Sequence, residues 1–162
     1  MMIKRMTLLL IALSLGIPAA WAQAKPDLSG TWKLSGTNPP NYPGSAGWGV
    51  PSPTIVIKQT PTELTIQSGQ YGASPMTVVY KLDGTDTIWE APSMTQSGST
   101  AVVKWRTKAR WDGNTLILFT WNTALNQMRD VVSVSNGALT IQRGTEQPGP
   151  STNAVLTYNK GT

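Results

Sequence analysis

The chain has 162 residues and contains neither cysteine nor histidine. That excludes disulfides, Ser-His-Asp and Cys-His catalysis, and the common zinc and haem ligands. Thirteen Lys and Arg against eight Asp and Glu give a formal net charge of +5, too mild a surplus to require a nucleic-acid partner.

The N-terminus reads as an export signal. Lys4 and Arg5 form a positive start, Leu8 to Ile17 an apolar run, and Ala20-Trp21-Ala22 a small-x-small site before Gln23. The apolar run is shorter than the roughly 20 residues that span a bilayer, so stable membrane insertion is not expected. With no cysteine there is no lipoprotein anchor. The expectation is a signal peptide over 1–22, one domain over 23–162, and a periplasmic or extracellular destination. Without Lys4 and Arg5, eleven basic residues face eight acidic ones, a net +3.

From Pro26 onward, short alternating segments are separated by turn signals. Leu28, Gly30, Trp32 and Leu34 alternate with polar residues and predict a first strand. Gly36 to Pro53 holds five prolines and four glycines, which rules out a helix or a long strand. Its aromatics Tyr42 and Trp48 suit either a lid or a packed loop. Ile55 and Ile57 start a second strand, and Glu63 to Ser68 form a third. Gly69 to Pro75 is expected as a loop. Met76, Val78, Tyr80 and Leu82 share a face of a fourth strand, which ends at Asp83-Gly84. A weak fifth strand covers Thr87 to Glu90, and Ser93 to Ser99 a polar loop.

The stretch from Lys104 to Trp121 predicts two strands around Asp112-Gly113, a type I′ hairpin signal. In the first arm, Lys104, Arg106, Lys108 and Arg110 share one face; Trp105, Thr107, Ala109 and Trp111 share the other. Same-face neighbours lie about 6.8 Å apart. Like charges at that spacing repel by roughly 2.4 kcal/mol at an effective dielectric constant of about 20. The basic face should therefore look at water or at an anionic partner, and the Trp face inward. The second arm, Thr115 to Trp121, is uncharged and apolar on both faces, so it belongs between two partner strands rather than at an edge. Asn126 to Ser135 gives an eighth strand, Asn136-Gly137 a second hairpin turn, and Ala138 to Arg143 a ninth strand. Thr145 to Thr152 is a loop, and Asn153 to Asn159 a tenth strand. No segment after the leader shows a helical apolar period. The fold class is all-β, an antiparallel up-and-down meander of about ten strands closed into a barrel, with a β-sandwich as the alternative.

Gly30-Thr31-Trp32 resembles the G-x-W signature of the lipocalin and calycin barrels. Arg143 resembles the arginine that packs over that tryptophan in those families. The chain is also similar to small secreted bacterial lipocalin-like proteins over Leu28–Leu34, Tyr80–Gly84, Ala109–Leu116 and Ser135–Ile141. The resemblance implies a closed barrel with a ligand cavity and Arg143 stacked on Trp32. The chain departs from the ten-stranded fatty-acid-binding barrels, whose two lid helices Pro39, Pro40, Pro43 and Pro51 forbid. It also carries a strand after Arg143 and lacks a closing helix.

Trp105, Trp111, Tyr80, Trp48 and Tyr42 are the candidate ligand contacts; Gly30, Trp32 and Arg143 are the structural motif. The basic ladder is read first as a solvated outer strand face, with an anionic lipid or polyanion as the alternative. Asp83 and Asp112 read as turn formers, and Asp130 as the salt-bridge partner of an inward arginine such as Arg143. No phosphate loop, EF-hand or nucleophile elbow appears, and no cofactor or metal is implied. The leading expectation is a non-enzymatic carrier of a small apolar or amphiphilic ligand. The alternatives are a filled barrel serving as an envelope or interaction module, and a cofactor-free cyclase or isomerase using Asp130 or Glu90. The oligomeric state is left open.

Overall fold

The computed structural model describes residues 24–40, 42, 51–70, 73–94, 100–122, 127–144 and 153–161. The expected export signal, Trp48, and the 95–99 and 145–152 connections lie outside them. The described residues form ten antiparallel strands: β1 (Gly30–Asn38), β2 (Thr54–Gln59), β3 (Glu63–Gln70), β4 (Ala73–Lys81), β5 (Thr87–Met94), β6 (Thr100–Asp112), β7 (Thr115–Asn122), β8 (Gln127–Ser135), β9 (Ala138–Gly144) and β10 (Ala154–Lys160). No helix is present among them.

The strands make one sheet in the order β4-β3-β2-β1-β10-β9-β8-β7-β6-β5. Every neighbour is a sequence neighbour except β1 and β10, whose pairing rolls the meander into a nearly closed barrel. One continuous sheet replaces the sandwich alternative. The remaining gap lies between β4 and β5, which share no ladder. Thr107 on β6 spans it: its buried hydroxyl donates to the Val79 carbonyl at 2.7 Å, with the Thr87 carbonyl at 3.4 Å.

The alternation read from the sequence determines what lies inside. Trp32, Ile55, Ile57, Leu64, Val78, Tyr80, Leu116, Leu118, Val132, Leu139, Ile141, Leu156 and Tyr158 are buried together. β7 is central, between β6 and β8. Ile117, in its outer phase, is also buried, at 3% exposure.

The Asn136-Gly137 turn forms as expected, with positive φ at both residues (52° and 76°). The first hairpin turns one residue later than predicted. Asp112 pairs with Thr115, so the loop is Gly113-Asn114, and only Gly113 has a positive φ, 56°. Glycine in the first central position is the type II′ arrangement. Asp83 is a turn former: its carboxylate accepts from the Thr85 amide and hydroxyl.

Several strands run longer than predicted. β1 continues to Asn38 through a bulge between Leu34 and Gly36. β3 and β4 extend to Gln70 and from Ala73, shortening the expected loop, and β5 reaches Met94. Pairing with long neighbours overrides the weak local signals.

Candidate ligand site

The strands place tight turns at one end of the barrel, and Leu28 and Trp32 close it. Trp32 Nε1 donates to the Leu28 carbonyl at 2.9 Å. Trp32 pairs in register with Lys160, whose Nζ lies 5.4 Å from the indole centroid. The expectation that Arg143 covers Trp32 is therefore corrected: the cation comes from the last strand. Gly30, at φ 140°, makes room for it, since a Cβ there would lie 3.1 Å from Lys160 Cε. Trp111 also belongs to this closed end. It is half-buried against the core, with Lys25 Nζ 5.7 Å from its ring centroid and bonded to the Gly113 carbonyl.

Trp105 lies six residues back along the same face, about 20 Å away at the strand rise. Trp105 and Trp111 thus do not share one pocket. Trp105 is 6% exposed and stacks on Trp89 of β5, with centroids 5.6 Å apart and planes 14° off parallel. Trp89 is not among the residues that the sequence alone singles out. The detectable signal was its place two residues from Thr87, in alternation; what fixes it opposite Trp105 is the β5–β6 register.

Between the tryptophan stack and the apolar floor lies a polar belt. Asp130 on β8 and Arg143 on β9 are cross-strand partners. They bond bidentately, Nε to Oδ1 at 2.9 Å and Nη2 to Oδ2 at 2.7 Å. Their side chains are 7% and 13% exposed. This is the pairing expected of Asp130. Burial acts to lower the Arg143 pKa, but the charge and hydrogen bonds of Asp130 override it and hold the guanidinium more firmly protonated than usual. The Tyr80 hydroxyl lies 2.8 Å from Thr120 Oγ1, and the Tyr158 hydroxyl donates to the Ser52 carbonyl at 3.2 Å. Burial raises both phenol pKa values, that of Tyr158 to about 12. Tyr42 is buried in the core, and its amide donates to Thr37 Oγ1 at 3.3 Å.

Two donors on the inner phase of β5 stand out. Thr87 Oγ1 and Trp89 Nε1 are buried without a hydrogen-bond partner. Leaving such a group unmet costs about 1–3 kcal/mol, so a pair of them beside the seam marks a place where an acceptor would be welcome.

Both carboxylates singled out as candidate acids are engaged in ion pairs. Glu90 faces outward and pairs with Lys104 at 3.6 Å, which corrects its candidacy as an inward acid. Asp130 is inward but engaged by Arg143. Among the described residues no group of His, Cys, Asp or Glu could hold a metal.

A groove of about 360 Å³ is lined by Lys108, Arg110, Phe119, Trp121 and Gln127 of the outer phase, together with Thr120 and Met128 of the inner phase. It lies across the basic ladder, away from the candidate tryptophans.

No protein-family model matches the chain, and no curated protein does. Solved structures do. A fatty acid transporter, REP1-NXSQ, aligns with TM-score 0.55 at 17% identity, over 84% of this chain and 97% of its own. Zebrafish ileal bile acid-binding protein, complexed with cholic acid, aligns with TM-score 0.54 at 15% identity, over 82% and 98%. A Schistosoma mansoni fatty acid-binding protein, complexed with arachidonic acid, aligns with TM-score 0.51 at 16% identity, over 83% and 96%. At these identities the likeness establishes the fold alone: an antiparallel ten-stranded meander rolled into a nearly closed β-barrel.

Proposed function

We propose that the barrel carries one small apolar or amphiphilic molecule, held between the Trp89–Trp105 stack and the polar belt, and that it works without catalysis. The observation that carries this reading is the pair of unpartnered donors, Thr87 Oγ1 and Trp89 Nε1, on the inner phase of β5. An amphiphile with an oxygen acceptor satisfies them, while the tryptophans and Val78 take its apolar part. The named ligands of the similar barrels (fatty acids, cholic acid, arachidonic acid) are of this chemical kind. The export-signal pattern of residues 4–22 supports a secreted or periplasmic carrier, of the kind found among small bacterial lipocalin-like proteins.

One observation favours a second reading, a filled barrel that serves as an interaction module. Polar groups of the interior are already satisfied, Asp130 by Arg143 on the neighbouring strand and Tyr80 by Thr120 across the barrel.

Native mass spectrometry of gently purified protein, followed by oleate titration, separates the two. A reproducible added mass lost on denaturation, or a 1:1 oleate complex weakened by Trp105→Ala in a folded variant, supports the carrier. A clean unliganded mass together with no oleate binding refutes it and leaves the filled module.

A further inference from the structure

We propose that the outer wall of β6, β7 and β8 docks on an anionic lipid bilayer, independently of what the barrel interior binds. The register builds this wall in rows. Arg106, Trp121 and Gln127 are neighbours; so are Lys108, Phe119 and Arg129; so are Arg110, Ile117 and Val131. Cationic and apolar side chains thus alternate across the strands.

Two of the cations are answered locally. Lys104 meets Glu90 at 3.6 Å and Arg106 meets Asp86 at 3.5 Å. Lys108, Arg110 and Arg129 have no acidic partner among the described residues. Lys108 and Arg110 flank the 360 Å³ groove, whose outer-phase apolar lining is Phe119 and Trp121. The adjoining outer wall also exposes the two large apolar side chains Ile88 and Val102, at 62% and 69%. Arg106 lies 5.8 Å from the Trp121 ring centroid.

Charge alone would suit any polyanion. The apolar component selects the bilayer. Tryptophan and other amphipathic side chains settle at the headgroup level of a membrane, and long basic side chains lay their stems along apolar surface while the charge reaches the phosphates. A soluble polyanion leaves Ile88, Val102 and Phe119 without a use. Each basic residue near an anionic leaflet strengthens binding about fivefold, so the three unanswered cations supply roughly a hundredfold preference over a neutral surface.

Co-sedimentation with vesicles of phosphatidylcholine, with and without about one-third phosphatidylglycerol, tests this through the ratio of the two affinities. The expected ratio is large and collapses in about 0.5 M salt, where screening is short-ranged. Lys108→Glu with Arg110→Glu, both exposed and outside the core, should lower it by about 30-fold or more. Lys33→Glu with Lys58→Glu, an equal charge change on β1 and β2, should lower it by much less. Trp121→Ser should weaken anionic-vesicle binding with the charges intact. Thermal melting confirms that each variant folds. A ratio near one for the unaltered protein overturns the proposal. So does an equal loss from both charge pairs, which means that net charge alone acts. Tighter binding of heparin than of vesicles, abolished by the same Lys108 and Arg110 changes, also overturns it in favour of a soluble polyanion.

Discussion

Replacing Asp130 by Ala is the sharpest test of how the barrel interior is held. The carboxylate meets Arg143 through two bonds of 2.9 and 2.7 Å, with both side chains nearly out of water. Opposite charges about 4 Å apart attract by about 4 kcal/mol at an effective dielectric constant near 20. Removing one member of a buried pair typically destabilises a protein by about 3–5 kcal/mol, because the other charge stays desolvated. For a domain of this size each kcal/mol shifts Tm by roughly 3–4 °C, so Asp130→Ala should lower Tm by about 10–20 °C. Asp130→Leu combined with Arg143→Met removes both charges and should recover most of that loss, since a well-packed apolar replacement of a buried pair is often neutral or better. Urea unfolding of wild type, Asp130→Leu, Arg143→Met and the double variant completes the cycle. A cost below about 1 kcal/mol for Asp130→Ala, the value of a solvated surface pair, would refute the reasoning.

Three further outcomes follow from the geometry. The Tyr158 pKa is raised to about 12 from the ordinary value of 10, so its contribution is complete below pH 10 and is lost as pH rises toward 12. Stability should fall there by about 1.4 kcal/mol per pH unit for this group, and Tyr158→Phe should remove that share of the slope in urea titrations at about pH 10 to 12; an unchanged slope contradicts it. Gly30→Ala forces a side chain onto a backbone at φ 140° and against Lys160; it should cost about 1–3 kcal/mol by the same unfolding assay, and no loss would remove the account of the G-x-W motif. Thr107→Val keeps the shape but leaves the Val79 carbonyl unmet; a loss of about 1–3 kcal/mol with faster amide exchange confined to β4 and β5 is expected, and uniform exchange across the barrel argues against a seam latch.

The sequence made much of this fold legible, for reasons that particular residues show. Asn136-Gly137 dictates a hairpin because both of its φ angles are positive, and β6 alternates cleanly, so its inner and outer faces could be read directly. What stayed hidden depends on register between distant strands. Lys160 and Arg143 are both late-strand cations in an inward phase, and only the β1–β10 pairing decides which one meets Trp32. The bulge after Leu34 shifts that ladder by a residue, which counting along the chain does not anticipate. Asp112-Gly113 was misplaced by one position because Gly113-Asn114 is equally acceptable turn chemistry, and strand pairing makes the choice. Trp89 was missed because β5 is a weak strand in isolation, and its partner Trp105 becomes evident only once Ala91 pairs with Val103 and Thr87 with Thr107.

The seam between β4 and β5 has a consequence for connectivity. Asp83-Gly84 joins two strands that share no ladder, so a cut there severs no inter-strand backbone pairing. The segments β1–β4 and β5–β10 would remain joined through β1 and β10, with Thr107 and the Tyr80–Thr120 contact as side-chain ties. The barrel is thus a natural candidate for division into two complementing fragments. It also suits circular permutation: new termini opened at Gly84 fall where the girdle of backbone bonds is already interrupted.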